Sequence, residues 1–168
     1  MARFGKVVLI VAAAIACRGV DSASLPTSTA FPFSPGFNVQ KVAEIAKKLP
    51  SHSWEFGTAA EALLEIYDPS YSVFGDKPFP IPKLSAKGSP SLSYASTKIH
   101  VGAPPNALVN GGGAVGDPAS LGVSAVLLGA TDSRLAKAAQ DELSYLINGA
   151  PRFWNGAISH RSEYAELW

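Results

Sequence analysis

The 168 residues carry 14 Lys and Arg against 13 Asp and Glu, a formal net charge of +1, with 47% hydrophobic residues and a single cysteine. A near-neutral chain without a Lys/Arg cluster argues against nucleic acid or an anionic membrane as partner, because both need dense positive charge. One cysteine, Cys17, excludes an intramolecular disulfide.

In chain order, the first feature is an export signal. Arg3 and Lys6 precede an apolar run of eleven residues, Val7 to Cys17, which Arg18 closes. A basic start, a short apolar stretch and small residues after it are what the secretion machinery reads. A spanning helix needs roughly 20 apolar residues, so the run is too short for a membrane anchor. Cleavage after Ser22 leaves Val20 and Ser22 at the two positions where small residues are required; cleavage after Ala16 is the alternative. Residues 1–22 are therefore expected to be a signal peptide and the mature protein to be secreted. Its removal takes away three positive charges and one negative (Arg3, Lys6, Arg18, Asp21), leaving −1. The mature chain then holds no cysteine, and it has no Asn-x-Ser/Thr site.

Residues 23–37, with three prolines, read as an extended lead-in to a domain spanning 38–168. Asn38 is placed as N-cap of a first helix whose apolar face is Val39, Val42, Ala43, Ala46 and Leu49, stopped by Pro50. A second helix starts near Ser53, presents Phe56, Ala60, Leu63, Leu64 and Tyr67, and ends at Asp68-Pro69. The five prolines between Pro69 and Pro90 predict an irregular segment of the length that is usually functional or surface-wrapping. A short helix over 91–100 comes next, then a Gly/Pro-rich loop over 102–116. Asp117 as N-cap with Pro118 at the first helical position predicts a helix closed by Gly129, with Leu121, Ala125 and Leu128 facing inward. Asp132 caps the next helix, which runs to Asn148 and stops at Gly149. Residues 160–168 read as a helix start with Ser162 as its cap. No segment alternates long enough for a strand, so the fold class is all-α, built of helical hairpins joined by long loops.

Several familiar signatures fail on inspection. Gly111 to Gly116 (GGGAVG) fits a dinucleotide fingerprint formally, but no strand precedes it and Asp117 opposes a phosphate there. No Lys-Ser/Thr follows the glycines, so it is not a P-loop. His52, His100 and His160 lack zinc-ligand spacing, so no metal is expected. No G-x-S-x-G occurs. No cofactor is expected.

Three groups remain that carry chemistry. Trp54 and Phe56 stand at a helix mouth. Asp117 stands among small residues at another. Phe153, Trp154, His160, Arg161 and Trp168 crowd one C-terminal segment. Aromatics stack on the apolar faces of sugars, and carboxylates act on them as acid and base. Each has a plainer reading as well: Trp54 and Trp154 as core, Asp117 as an N-cap, Arg161 as an ion-pair partner of Glu163 or Glu166.

The stretches SWEFGTAAEALLEIYDPSYSVFG (53–75), GAVGDPASLGVSAVLLG (113–129) and DELSYLINGAPRFWNGAISHRSEYAELW (141–168) resemble secreted fungal-type six-hairpin glycosidases. These are similar to the unsaturated glucuronyl and rhamnogalacturonyl hydrolases of glycoside hydrolase families 88 and 105. The resemblance covers most of 38–168 and implies about half of an (α/α)6 barrel, since twelve helices need roughly twice this length. It implies hydration of the C4–C5 double bond of an unsaturated uronyl oligosaccharide: an aspartate protonates the bond, water adds beside it, and the hemiketal collapses.

In the family that aspartate closes a Leu-Trp-x-Asp run. Leu167-Trp168 matches its first half and the aspartate would be residue 170, so the chain is expected to be a truncated, inactive part of a hydrolase. The resemblance puts Asp117 at the second acidic position of the catalytic pair and Trp54, ahead of Phe56, at the sugar-stacking position. It makes His160 and Arg161 the local candidates for the uronate carboxylate, and Trp168 a further substrate contact. The alternative expectation is an exported helical protein that binds oligosaccharide or a protein partner without catalysis. A purely structural helical protein leaves the aromatic cluster at 153–168 unexplained.

Overall fold

Residues 34–76 and 78–165 are described in the computed structural model of the chain. The expected signal peptide, most of the lead-in, and Trp168 lie outside the described residues. Over the described residues the protein is all-α, with six helices, two isolated antiparallel bridges and no strand.

Helix α1 (Val39–Lys48) starts where expected: the Asn38 side chain accepts from the backbone N–H of Lys41 at 2.9 Å, filling an orphan donor of the first turn. Its apolar face does not behave as expected. Only Ala43 is buried, while Val42, Ile45 and Leu49 are exposed. The helix leans on α2 through few groups, among them the Tyr67 hydroxyl donating to Gln40 and the Lys47 ammonium 5.1 Å from the Tyr67 ring centre. Val39 and Ala46 of the expected face are half-buried.

Helix α2 (Ser53–Tyr67) supplies the central packing surface, with Leu63 and Leu64 fully buried. Asp68 ends it and ties it to the start of the third helix. One oxygen of its carboxylate accepts from Ser89 at 2.5 Å and from Ser91 at 2.7 Å, across the proline-rich segment between them. That segment holds two 3-10 turns, Pro69–Tyr71 and Ala86–Gly88. Ser89 also caps α3 (Pro90–Lys98) by accepting from the Leu92 N–H, so one serine closes the loop and opens the helix.

The helix expected from Asp117 to Gly129 is two helices, α4 (Gly116–Ala119) and α5 (Gly122–Gly129). Asp117 is not an N-cap. The chain turns helical at Gly116, whose carbonyl accepts from the Ser120 N–H, and the Asp117 carboxylate is engaged elsewhere. Leu121, Ala125 and Leu128 do face inward, with Leu121 and Ala125 fully buried. Helix α6 (Ser133–Asn148) is capped by Asp132, which accepts from Arg134 N–H, and stops at Gly149. A Cβ on Gly129 would come 2.9 Å from the backbone of Ala136, so the end of α5 presses on α6 as only glycine permits. The pairs α5–α6 and α2–α3 pack along each other, and α5 bridges them by touching α2 and α3.

The C-terminal helix start is not seen among the described residues: 160–165 are irregular. Both the N–H and the hydroxyl of Ser162, expected as a cap, go to the carbonyl of Gly113, at 2.9 and 3.2 Å. The segment is laid against another loop instead of coiling on itself.

Candidate functional site: a polar cleft at the start of α2

The start of α2 is held by a carboxylate. Glu55 Oε2 accepts from the backbone N–H groups of Ser51 at 2.6 Å and His52 at 2.9 Å. These two backbone donors, Ser51 first, bring the Glu55 carboxyl down from 4.5 to about 2. With the first turn pinned this way, Trp54 points outward, 52% exposed, while Ser53 and Gly57 face inward and are buried.

Ser53 then makes the link that organises the site. Its hydroxyl donates to Asp117 Oδ2 at 2.9 Å, joining α2 to α4. One turn further on, Gly57 lets the two helices meet: an added Cβ would lie 2.2 Å from Ser120 Oγ and 2.5 Å from the Ser120 carbonyl carbon. The Ser120 hydroxyl lies 2.6 Å from the Asp117 carbonyl and 3.2 Å from that of Ser53, which fixes the junction.

The glycine run before α4 also has a defined task. Gly112 and Gly113 adopt φ of 59° and 88°, a left-handed conformation that side chains resist. Asn106 accepts from Gly111 N–H and Asn110 from Gly112 N–H, which locks the turn. The turn brings 113–115 beside 160–162: Val115 N–H donates to the His160 carbonyl at 2.7 Å, and Ala114 and Arg161 form an antiparallel bridge. The glycines are therefore a splice between two loops.

The result is a cleft of about 640 Å³ lined by Trp54, Asp117, His160 and Arg161, together with His52 and Asn110. Four of the five candidate site residues thus line one cleft, although they come from three separate stretches of sequence; the fifth, Trp168, lies outside the described residues. Trp154 takes no part in it. At 97% exposed it stands clear of the core, which corrects the reading of Trp54 and Trp154 as buried residues. Phe56, half-buried against the core with Lys98 over its ring, 4.5 Å from the centre, also lines the cleft, beside the more exposed Trp54.

Sequence reasoning passed over Ser53 and Asn110. A buried serine at a helix start, one residue before a tryptophan, is a weak signal, and its partner lies 64 positions away. Asn110 before three glycines was readable as a turn residue, yet its side chain is also a cleft wall.

The cleft offers a flat apolar ring, a carboxylate oriented by a serine hydroxyl, and an imidazole and a guanidinium on the opposite loop. Among the described residues no three His, Cys, Asp or Glu side chains gather as a metal site would require. Nor is any helix among them long and apolar enough to cross a membrane. No family model matches the chain, nor does any curated protein or solved structure.

Proposed function

We propose that this cleft binds an oligosaccharide bearing a uronate. The observation that carries the reading is the gathering of Trp54, Asp117, His160 and Arg161 on one cleft of 640 Å³, within the size range of small-ligand sites. An exposed indole stacks on the apolar face of a sugar ring. A carboxylate held by Ser53 keeps lone pairs for sugar hydroxyls. An imidazole and a guanidinium pair with a sugar carboxylate, the guanidinium in a two-pronged geometry that lysine cannot supply.

The finer reading is that the site belongs to an unsaturated glycuronyl hydrolase of six-hairpin type, exported to meet the products of polysaccharide lyases. Its support is the α-helical hairpin pairing and the placement of Asp117 in the cleft. The resemblance gives Asp117 the second acidic position of the catalytic pair, and saccharide binding is the activity to measure.

The test is a calorimetric titration with an unsaturated uronyl disaccharide and with a neutral disaccharide of the same linkage. The uronyl sugar should bind and the neutral sugar should bind at least about tenfold more weakly, the value of one charge-assisted hydrogen bond. Trp54→Ala should cost both sugars about tenfold without lowering stability, since the ring is half exposed. Equal affinity for the two sugars would remove the uronate from the proposal. Absence of binding to either would overturn it. Loss of the ultraviolet absorbance of the uronyl double bond on incubation would add turnover to binding.

A further inference from the structure

Two features of the described residues lie outside the cleft. One is a largely apolar hollow of about 370 Å³ between α5, α6 and the proline-rich segment, with Glu142 among its lining residues. Glu142 is 2% exposed: its Oε2 accepts from the Ala107 N–H at 2.9 Å, and its Oε1 is buried without a hydrogen-bond partner among the described residues. Nothing on the apolar rim of this hollow selects one occupant over another. The other feature is Trp154, at 97% the most exposed large apolar side chain among the described residues.

Trp154 stands on a braced turn, residues 151–159, just past the end of α6. Arg152 and Ile158 form an antiparallel bridge, the Phe153 N–H donates to the Ala157 carbonyl at 2.9 Å, and the Gly156 N–H donates to the Phe153 carbonyl at 2.9 Å. Gly156 takes a φ of 86°, where glycine is at ease, and Asn155 Oδ1 accepts from the Ala157 N–H at 3.1 Å. The Arg152 guanidinium closes the base of the turn. It donates to the carbonyls of Gly156 and Ile147 at 2.8 Å and of Leu146 at 3.0 Å, which ties the turn to the last residues of α6. The backbone under Trp154 is thus fixed while its ring reaches into solvent, and a group presented this way has a low ordering cost on binding.

We propose that Trp154 is a second saccharide contact, a stacking platform outside the cleft for a more distant ring of the same oligosaccharide; the inference rests on the saccharide reading of the cleft. Three observations select a sugar as its partner. The turn runs directly into His160 and Arg161 of the cleft, and six residues from Trp154 to His160 keep their backbones within about 20 Å of each other. The indole stands among Asn155, Gly156 and Ala157, all exposed, without the close-packed surround that keeps water from a protein anchor. Arg152 is the one cation of the turn and faces three carbonyls, so the turn lacks the clustered positive charge that a phosphate backbone or an anionic bilayer needs. An open indole face suits the apolar face of a sugar ring, and the N–H at its edge can donate to a hydroxyl.

The test is a calorimetric series on the 168-residue chain with uronate-bearing di-, tetra- and hexasaccharides of one linkage. The parent should bind the hexasaccharide about tenfold tighter than the disaccharide, the value of one aromatic stack. Trp154→Ala should erase that gain and leave the disaccharide affinity and the urea midpoint unchanged, since the ring is almost wholly exposed. Trp154→Phe should keep part of the gain. Trp54→Ala should weaken both lengths alike, which separates the ring in the cleft from the one outside it. Disaccharide binding with no gain on lengthening, or a gain that Trp154→Ala keeps, overturns the proposal and leaves the saccharide cleft standing. No binding at any length overturns both. Hexasaccharide binding that Trp154→Ala abolishes, with no disaccharide binding, supports Trp154 as a sugar contact and removes the cleft reading. Self-association of the parent that Trp154→Ala abolishes overturns the proposal and makes a second copy the partner.

Discussion

The cleft at the start of α2 and the cavity between α5 and α6 are both large enough for a small molecule, at about 640 and 370 Å³, but they are made differently. The cleft is assembled from loop and helix ends, and hydrogen bonds set its polar walls in place: Ser53 to Asp117, Val115 to His160, Ser162 to Gly113. The cavity is a gap between apolar helix faces, and its one carboxyl is half satisfied. In the first the polar groups are positioned by each other through these hydrogen bonds. In the second a polar group has been carried inside by a helix, and one of its oxygens is left buried without a hydrogen bond.

The comparison is broken most severely at Gly57, where α2 meets α4 beside the cleft. Alanine is favoured over glycine in a helix interior by about 1 kcal/mol. Against this stands a Cβ 2.2 Å from Ser120 Oγ and 2.5 Å from the Ser120 backbone, an overlap that forces α2 and α4 apart and costs about 3 kcal/mol or more. Gly57→Ala should therefore be net destabilising by about 2 kcal/mol or more in urea unfolding, and it should abolish saccharide binding. Adding Ser120→Gly should restore only part of the loss, because the clash with backbone remains. A variant as stable as the parent would mean that the α2–α4 contact does not define the cleft.

The same contrast governs how far the two hollows could be read beforehand. Asp117, Trp54, His160 and Arg161 announce themselves as residue types suited to polar chemistry, and helix signals such as Asn38, Asp132 and Gly149 are local, so their capping and stop roles are readable from neighbours a few positions away. Asp117 as a cap failed because a carboxylate serves a cap or a distant hydroxyl equally well, and only the fold brings Ser53 to it. Ser162 failed likewise: its bonds go to Gly113, 49 residues earlier. The amphipathic stripe of α1 was legible, but whether anything covers it is not a property of the stripe. The cavity had no legible signal, since Val123, Val126, Leu143 and Leu146 are ordinary core residues by type and Glu142 is one glutamate among several on an amphipathic helix.

A smaller effect sharpens the cavity side. The folded Glu142 carboxyl titrates above its ordinary 4.5, through burial, so its contribution is fully present below the unfolded value and is lost as pH rises through the folded one. The groups near it do not reverse this. Tyr145 on the same helix is itself raised, by burial and then by the charge of Glu142, and so stays neutral across this range, and the 106–109 loop faces Glu142 with backbone N–H groups. Glu142→Gln keeps an oxygen for Ala107 and has no proton to lose. Between about pH 4 and about pH 7 the urea midpoint of the parent should fall relative to that of Glu142→Gln. The shift should be smaller than the loss at Gly57, and parallel curves would show that the carboxyl stays uncharged or finds water.

The smallest effect belongs to Glu55 on the cleft side, and its sign is the reverse. The carboxyl is lowered from 4.5 to about 2 by the Ser51 and His52 N–H groups, so the stability it adds is present above 4.5 and is lost as pH falls toward 2. Glu55 is at the surface, where solvent and salt weaken such contributions, and the effect should appear only at the acid end. Glu55→Gln should match the parent near pH 2 and fall slightly below it at neutral pH, with thermal unfolding as the measure. Because Glu55 fixes the turn that presents Trp54, the same variant should weaken saccharide binding at neutral pH more than it lowers the melting temperature. A loss of affinity no larger than the loss of stability would mean that the indole is placed by the packing of α2 on α4, and that the cap serves only the helix.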